Sequence, residues 1–334
     1  MRVRRAVLAA TLPVTGLAAF GGLVPAKAAT PKPVTVALLD TGIFAGHQEF
    51  AAGQVVAWKD FTAKPKPTPY DDNGHGTITA SMVGGLNKTP AKTPSFAPGV
   101  RLAIGKVLDG SGSGSAAAIA AGIRWATDQK VDIINMSLGS SVPLPGGFFD
   151  ADAYNAIAAA RAAGILVVVA NGNGFANAGV PGEPGWFKAF SSSTDVLSVG
   201  ASDVIDGVLV DTEPEVTAQF NITGPATTST SAYVSESGTS FSSPLTAGFA
   251  ANALAAARTA GRSPNGDTLE SIVKACARDT ALPPSFEGYG IIDAAQVGCA
   301  VGAAKTGVIP APNATNKLWV ETVSANLRKV GSFR

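Results

Sequence analysis

Short apolar runs rich in β-branched residues alternate along the chain with alanine-rich stretches. The apolar runs occupy residues 34–39, 102–108, 131–138, 165–170 and 195–201. Continuous apolar runs of this length, bounded by glycine and polar residues, are typical of strands that are buried on both faces. Between the runs, residues 116–129 and 150–163 predict helices, and Gly164 follows the second at a position where helices commonly end.

This alternation predicts an α/β fold with a parallel sheet covered by helices on both faces. Two further helices are predicted at 240–259 and 267–277, with a short one after Asp293. Beyond Val301 the composition becomes linker-like, and residues 318–325 alternate in polarity as an edge strand would. The chain shows no internal repeat.

The N-terminus has the features of a secretory signal peptide. A basic segment at 1–5 precedes a mostly apolar stretch at 6–24, and Ala26-Lys27-Ala28 fits a small-x-small cleavage site. A membrane-spanning helix is the alternative, but Pro13 and several glycines suit a cleaved segment better. Arg4-Arg5 also loosely resembles a twin-arginine export signal. We expect a signal peptide at 1–28, one folded domain at 29–302 and a C-terminal extension of unknown role at 303–334.

Composition and charge narrow the classes of partner. The chain is 46% hydrophobic and only 15% charged, which suits a large buried core. Loss of residues 1–28 removes four positive charges and no acids, so the formal net charge changes from +1 to −3. This balance does not indicate nucleic-acid binding, and no later apolar run is long enough to anchor the protein in a membrane. A secreted protein is therefore expected.

The two cysteines and two histidines restrict the chemistry further. Export favours a disulfide between Cys276 and Cys299. So few histidine and cysteine side chains nearly exclude a zinc site of the usual type.

In an open α/β sheet, functional residues gather at the carboxyl ends of the strands. Polar or glycine-rich segments follow four of the predicted strands: Asp40-Thr41-Gly42, residues 110–115, Ser137-Leu138-Gly139 and residues 171–174. Residues 112–117 also satisfy a dinucleotide-binding pattern, but the acid about twenty residues on, Asp132, begins a strand rather than ending one. The "LLDTGI" around Asp40 looks like an aspartic protease motif, yet its nearest partner, residues 209–213, lacks the glycine.

A Ser-His-Asp arrangement is the third interpretation. His47 lies in a polar loop, where a histidine is usually solvated, whereas His75 lies in the glycine-flanked turn "DDNGHGTITA" before a helical run. A base also needs a carboxylate that holds its imidazole, and Asp40 is placed for that role at a strand end. The stretch "SESGTSFSSP" puts Ser240 after a glycine-led turn at a helix start.

The motifs "DTGI", "GHGT" and "GTSFSSP" occur in the order Asp, His, Ser, and in this the chain resembles the subtilisin-like serine proteases (subtilases). The resemblance extends over roughly residues 34–302 and includes "VDIINMSLGSS", "VVVANGNG" and "GYGIIDAAQVG". It implies a three-layer subtilisin-like fold with a mostly parallel central sheet. Residues 29–302 would then be a subtilisin-like peptidase domain.

The resemblance also implies roles for individual residues. Ser240 would be the nucleophile, His75 the general base and then acid, and Asp40 the orienting carboxylate. Asn173 matches the oxyanion donor, and substrates would lie between Gly112-Ser113-Gly114 and Ser137-Leu138-Gly139. The expected protein is a secreted, monomeric serine endopeptidase acting on proteins or peptides without a cofactor. The alternative is a non-catalytic, peptide-binding relative.

Several positions depart from the family pattern. Only about eleven residues separate Ala29 from Asp40, too few for the folding propeptide that family members usually carry. Phe241 replaces a common Met, which predicts resistance to peroxide. Ile78 replaces a frequent His.

A structural calcium ion is allowed by the resemblance but is supported by no clear ligand loop. Glu49 stands where relatives often place a ligating Asp, and a surface charge is expected there. The pocket for the residue before the scissile bond is not assigned, although Glu183, Phe175 and Trp186 are candidates.

Overall fold

A computed structural model describes residues 30–90, 92–138, 151–173, 196–201, 215–280, 287–315 and 317–318. The described residues from Pro31 onward belong to one unit, and the predicted signal peptide lies outside the described part. No helix in these ranges has both the length and the apolar character needed to cross a membrane.

Within the described ranges, eight strands form the central sheet, and each neighbouring pair is parallel. Their spatial order is β10-β7-β6-β5-β4-β1-β3-β2. The strands are β1 Thr35–Asp40, β2 Val55–Asp60, β3 Arg101–Lys106, β4 Ile133–Met136, β5 Leu166–Ala170, β6 Leu197–Ala201, β7 Val216–Ala218 and β10 Ile291–Ile292. A separate antiparallel hairpin consists of β8 Asn221–Pro225 and β9 Tyr233–Ser237.

Helices cover both faces of this sheet. They are α1 His75–Gly84, α2 Ala116–Asp128, α3 Ala151–Ala162, α4 Thr239–Thr259, α5 Gly266–Cys276 and α6 Val297–Thr306, with a short 3-10 helix at Ala294–Gln296. Side chains of α1, α4, α5 and α6 pack on one face, and those of α2 and α3 pack on the other. Within β1, Leu38 belongs to the first core and Leu39 to the second. Burial on both faces explains why the central strands are continuously apolar.

The predicted α/β fold is confirmed, including all five apolar runs as strands of one sheet. The sequence pattern missed β2, β7, β10 and the hairpin, which are short or half exposed. The last helix is longer than expected, and the predicted domain boundary at residue 302 lies inside it. Most of the alternating segment, residues 319–325, lies outside the described residues.

A disulfide joins Cys276 at the end of α5 to Cys299 in α6, with a Cα–Cα distance of 5.7 Å. This confirms the pairing favoured by the sequence. The bond lies among the helices of the first core, and the Cys276 side chain is buried there.

Candidate active site

The carboxyl ends of β1, β3, β4 and β5 meet at one edge of the sheet because these strands are parallel and in register. Asp40 pairs with Lys106 of β3, Leu38 pairs with Asn135 of β4, and Asn135 pairs with Val168 of β5. The loops that follow these strands contain most of the residues singled out by the sequence. Chain direction in the sheet therefore brings distant segments together.

Asp40 is the last residue of β1, and only 1% of it is exposed. Its Oδ1 accepts hydrogen bonds from the Thr41 backbone N–H at 2.7 Å and from His75 Nδ1 at 2.8 Å. Its Oδ2 accepts one from the Thr79 hydroxyl at 3.2 Å. A buried carboxylate is costly unless hydrogen bonds replace its water, and these three donors do so.

His75 is the first residue of α1, and its side chain is 26% exposed. Because a carboxylate only accepts hydrogen bonds, the contact with Asp40 places the proton on Nδ1 and leaves Nε2 as an acceptor. Burial lowers the pKa of His75, but the charges of Asp40, Asp71 and Glu236 outweigh it, so the pKa lies above its usual 6.5. The imidazole is held in one orientation and is partly accessible.

A network of hydrogen bonds holds the turn before His75. The Thr41 hydroxyl accepts from the Gly76 N–H and donates to Asp71 Oδ1 at 2.9 Å. Asp71 Oδ2 accepts from both the backbone N–H and the hydroxyl of Thr77. Lys106 is fully buried, and its ammonium donates to the Thr41 carbonyl. Sequence reasoning missed these supporting residues, although the acidic "DD" just before the turn was the available signal.

Two glycines allow β1 and α1 to approach this closely. A Cβ on Gly76 would lie 2.3 Å from the Gly42 carbonyl oxygen, and one on Gly42 would lie 2.0 Å from the Tyr70 carbonyl oxygen. Gly42 also has a φ of +120°, which favours glycine. A side chain on Gly76 would push α1 away from Gly42, and one on Gly42 would push that residue away from the Tyr70 backbone.

Ser240 is the second residue of α4, directly after the turn at Gly238. Its hydroxyl lies 3.5 Å from the Ser137 carbonyl oxygen, a long contact. The next side chain, Phe241, packs on the His75 ring with a centroid distance of 5.4 Å. The residue that follows Ser240 therefore contacts the imidazole, while the Ser240 hydroxyl itself lies against the Ser137 carbonyl oxygen.

Asn173 follows β5 and contacts the start of α4. Its Oδ1 accepts from the Thr239 N–H at 2.9 Å and from the Thr239 hydroxyl at 3.0 Å. Both donors bind the amide oxygen. They therefore fix the orientation of the Asn173 side chain without using its Nδ2 group. Gly238 has a φ of +148°, and a Cβ there would come within 3.2 Å of Asn173 Nδ2. The space beside this amide therefore depends on glycine.

The two segments expected to hold substrate follow β3 and β4. Ser137 and Leu138 are buried, and Asn135 Nδ2 donates to the Ser137 hydroxyl while its Oδ1 accepts from Ser243 of α4. Gly139 lies outside the described residues, as do Glu183, Phe175 and Trp186.

The other segment, Gly112-Ser113-Gly114, is exposed and is shaped by Asp109, whose Oδ1 accepts from the backbone N–H groups of Ser111 and Ser113. Among the described residues, the acid of the dinucleotide pattern is already paired, since Asp132 is held by both terminal guanidinium nitrogens of Arg258.

Two expectations for the "AGHQEF" loop were wrong. Only 1% of His47 is exposed, and Nε2–H donates to the Ala232 carbonyl while Nδ1 accepts from the Glu49 N–H. Burial lowers its pKa, so it is a neutral structural histidine. Glu49 is not a surface charge, because it is fully buried and accepts from Tyr233 Oη at 2.7 Å. Both polar residues are buried because the β8–β9 hairpin covers this loop.

The fold and the site define a class of protein, the serine endopeptidases built on a mostly parallel α/β sheet. Within that class the chain belongs to the Subtilase family, whose sequence profile matches residues 32–291. Its substrates are accordingly proteins or peptides.

Named relatives agree with this assignment. The chain is 36% identical to subtilisin DY of Bacillus licheniformis over 223 residues, which cover 65% of this chain and 75% of that protein. It is 33% identical to thermitase of Thermoactinomyces vulgaris, covering 64% of this chain and 72% of that protein. It is 35% identical to alkaline elastase YaB of Bacillus sp. (strain YaB), covering 65% of this chain but only 53% of the relative.

Proposed function

We propose that the chain is a secreted endopeptidase that cleaves peptide bonds through an acyl-enzyme, with Asp40, His75 and Ser240 as its catalytic triad. The observation that carries this proposal is the 2.8 Å hydrogen bond between Asp40 and His75, together with the contact of the His75 ring with Phe241, the residue that follows Ser240 at the start of α4. The chain has only two histidines, and the second, His47, is buried and donates a hydrogen bond to the Ala232 carbonyl oxygen.

In this mechanism the Ser240 hydroxyl attacks the carbonyl carbon of the scissile bond while His75 Nε2 takes its proton. Asp40 keeps the imidazole in the tautomer that leaves Nε2 free, and stabilises the imidazolium that forms. His75 then donates the proton to the leaving amine, which departs as the acyl-enzyme forms. Water attacks the ester in the second half, with His75 as base again.

The negative oxygen of the tetrahedral intermediate needs donors that are already in position. We assign this role to Asn173 Nδ2 and to the Ser240 backbone N–H at the start of α4. Support comes from the Thr239 hydrogen bonds, which hold Asn173 by its oxygen and leave its N–H groups for substrate. Loss of one donor costs about 10²–10³ in kcat, the size found for an oxyanion-hole donor in subtilisin itself.

Substrates would lie extended between Gly112-Ser113-Gly114 and Ser137-Leu138-Gly139. Binding of this kind uses main-chain hydrogen bonds, so we expect broad side-chain selectivity. We further propose that the mature protein begins near Ala29, acts as a released monomer and needs no cofactor for the reaction.

Labelling with a fluorophosphonate tests the proposal directly. The wild-type chain should be labelled at Ser240, Ser240→Ala should lose the label, and His75→Ala should react far more slowly. Ser235→Ala is the matched control, because this hairpin hydroxyl contacts Thr223 in an exposed position. Peptide binding without labelling or hydrolysis would instead favour the non-catalytic relative.

A further inference from the structure

A buried lysine lies in the segment between α1 and β3, which we call the lysine loop (residues 85–90 and 92–95). Only 3% of Lys92 is exposed. Burial lowers its pKa to about 8, with the charge of Glu49 acting in the opposite direction, so the side chain is still charged at neutral pH. An ammonium group buried to this extent needs compensating oxygens.

Three oxygens surround the Lys92 ammonium. Nζ lies 2.8 Å from the Thr93 carbonyl oxygen, 3.2 Å from the Ser81 carbonyl oxygen and 3.4 Å from Asn87 Oδ1. The Ser81 carbonyl belongs to the last turn of α1, where the helix dipole attracts a cation. Together they form an oxygen cage around one positive charge.

The same charge offsets the buried carboxylate of Glu49. Glu49 Oε1 accepts from the Lys88 N–H at 3.1 Å and from Tyr233 Oη, whereas Oε2 is buried without a hydrogen bond among the described residues. His47 and Tyr233, the other ionisable groups of this cluster, are neutral at pH 7. The cluster is therefore balanced only while Lys92 is charged.

The lysine loop lies between α1, the helix of His75, and the hairpin that precedes Ser240. Thr93 exchanges hydrogen bonds with Thr223 of β8, donating its N–H to the Thr223 carbonyl and accepting from the Thr223 N–H through its hydroxyl. Glu49 holds Tyr233 of β9, and β9 leads directly into the turn before Ser240. At its other end the loop begins where α1, the helix of His75, stops.

Calcium does not fit this loop. Ca²⁺ requires six to eight oxygens at about 2.3–2.6 Å, whereas three of the oxygens here already face an ammonium group. A divalent ion added beside Lys92 would meet a like charge. Within the described residues, no group of three or more His, Cys, Asp or Glu side chains converges as a metal site.

We propose that the Lys92 ammonium is a built-in cation that organises the lysine loop in place of a metal ion. The order of this loop then depends on a covalently attached charge and is indifferent to calcium and to chelators.

The first test is local and uses the unaltered fold at pH 7. Hydrogen–deuterium exchange is followed in peptides that cover residues 85–95 of the full chain, in a Ser240→Ala background that prevents self-digestion. Excess EDTA or added CaCl₂ should leave the exchange rates of these peptides unchanged. Faster exchange there with EDTA would overturn the proposal, whatever happens elsewhere in the chain.

The second test replaces the cation. Lys92→Met should lower the melting temperature on the order of 5–10 °C, because Glu49 loses its counter-charge. Lys88→Met is the matched control, since Lys88 is an exposed lysine of the same loop, and its melting temperature should be unchanged.

Lys92→Ala should be restored in part by methylammonium, which can enter the emptied cage, whereas Lys92→Met should not respond. An unchanged melting temperature in both Lys92 variants would refute the idea. If neither variant folds, the exchange measurement still decides.

Discussion

At the scale of single residues, the proposed catalysis depends on which nitrogen of the His75 imidazole carries the proton. Asp40 holds the Nδ1 proton of His75 and leaves Nε2 free to accept. The same carboxylate raises the pKa of His75 against the effect of burial. Activity and its pH dependence are therefore governed by the same contact.

The first prediction concerns that pH dependence. His75 must be neutral to accept a proton, so kcat/KM should rise with pH and reach half its plateau above pH 6.5. Asp40→Asn should move this midpoint to lower pH and reduce the plateau kcat by about 10⁴-fold, as in other triads. Initial rates on a peptide substrate from pH 5 to 10 measure both effects. An unmoved midpoint in Asp40→Asn would show that another group controls the profile.

The second prediction concerns oxidation. Phe241, beside the imidazole, has no thioether, and Met82 and Met136 are fully buried in the core. Brief peroxide treatment should therefore spare the activity, whereas Phe241→Met should become sensitive at the same dose. Residual fluorophosphonate labelling measures the loss. Rapid inactivation of the wild-type chain would refute this assignment of the oxidation-sensitive position.

At the scale of elements, the backbone conformation at the start of α4 positions the residues proposed for catalysis. Gly238 supplies a φ of +148°, Thr239 fixes Asn173, and Ser240 follows as a half-buried residue of the first helical turn. A change in the turn should therefore affect rate more than stability.

The third prediction compares two glycines with positive φ. Gly238→Ala should lower kcat by at least about tenfold, because its Cβ would press on Asn173 and displace an oxyanion donor. Gly53→Ala is the matched control, since Gly53 has a φ of +76° and open space where its Cβ would point. It should cost about 1 kcal/mol of stability and leave kcat unchanged. Equal loss of kcat in both variants would contradict the explanation.

The elements also show what sequence could predict. The apolar strands were found because burial on both faces leaves a continuous hydrophobic run, as in β5. Strand β2 was missed because it is a half-exposed edge strand with a mixed pattern. Asp40 and His75 stood out because histidine is scarce and strand ends are known places for function.

The burial of Glu49 and Lys92 had no such signal. Their partners are largely backbone carbonyl and N–H groups, which every residue carries. Hydropathy alone assigns both side chains to the surface.

At the scale of the whole molecule, the sheet carries the site and the disulfide stabilises helices that do not contribute to it. Cys276 and Cys299 lie in α5 and α6, whereas the site residues end β1, follow β4 and β5, or lie at the starts of α1 and α4. Stability and activity are therefore separable.

The fourth prediction uses this separation. Replacing Cys276 and Cys299 together by Ser should cost about 3 kcal/mol, because the bond closes a loop with a sequence separation of 23. The melting temperature should fall by about 5–10 °C while kcat at 25 °C stays unchanged. Thermal unfolding and peptide hydrolysis on the same sample measure the two quantities. A parallel loss of kcat would mean that the helices do support the site.

The order of the site residues along the chain also sets when, during synthesis, the proposed proteolytic site can be completed. Asp40 and His75 are synthesised early, but the serine that they serve lies far downstream, at the start of α4, and Asn173 lies between them. During synthesis, the chain therefore contains His75, the proposed base, before it contains Ser240, the proposed nucleophile. Proteolytic capacity is then among the last properties the polypeptide acquires, because no partial assembly of these strands contains the whole site.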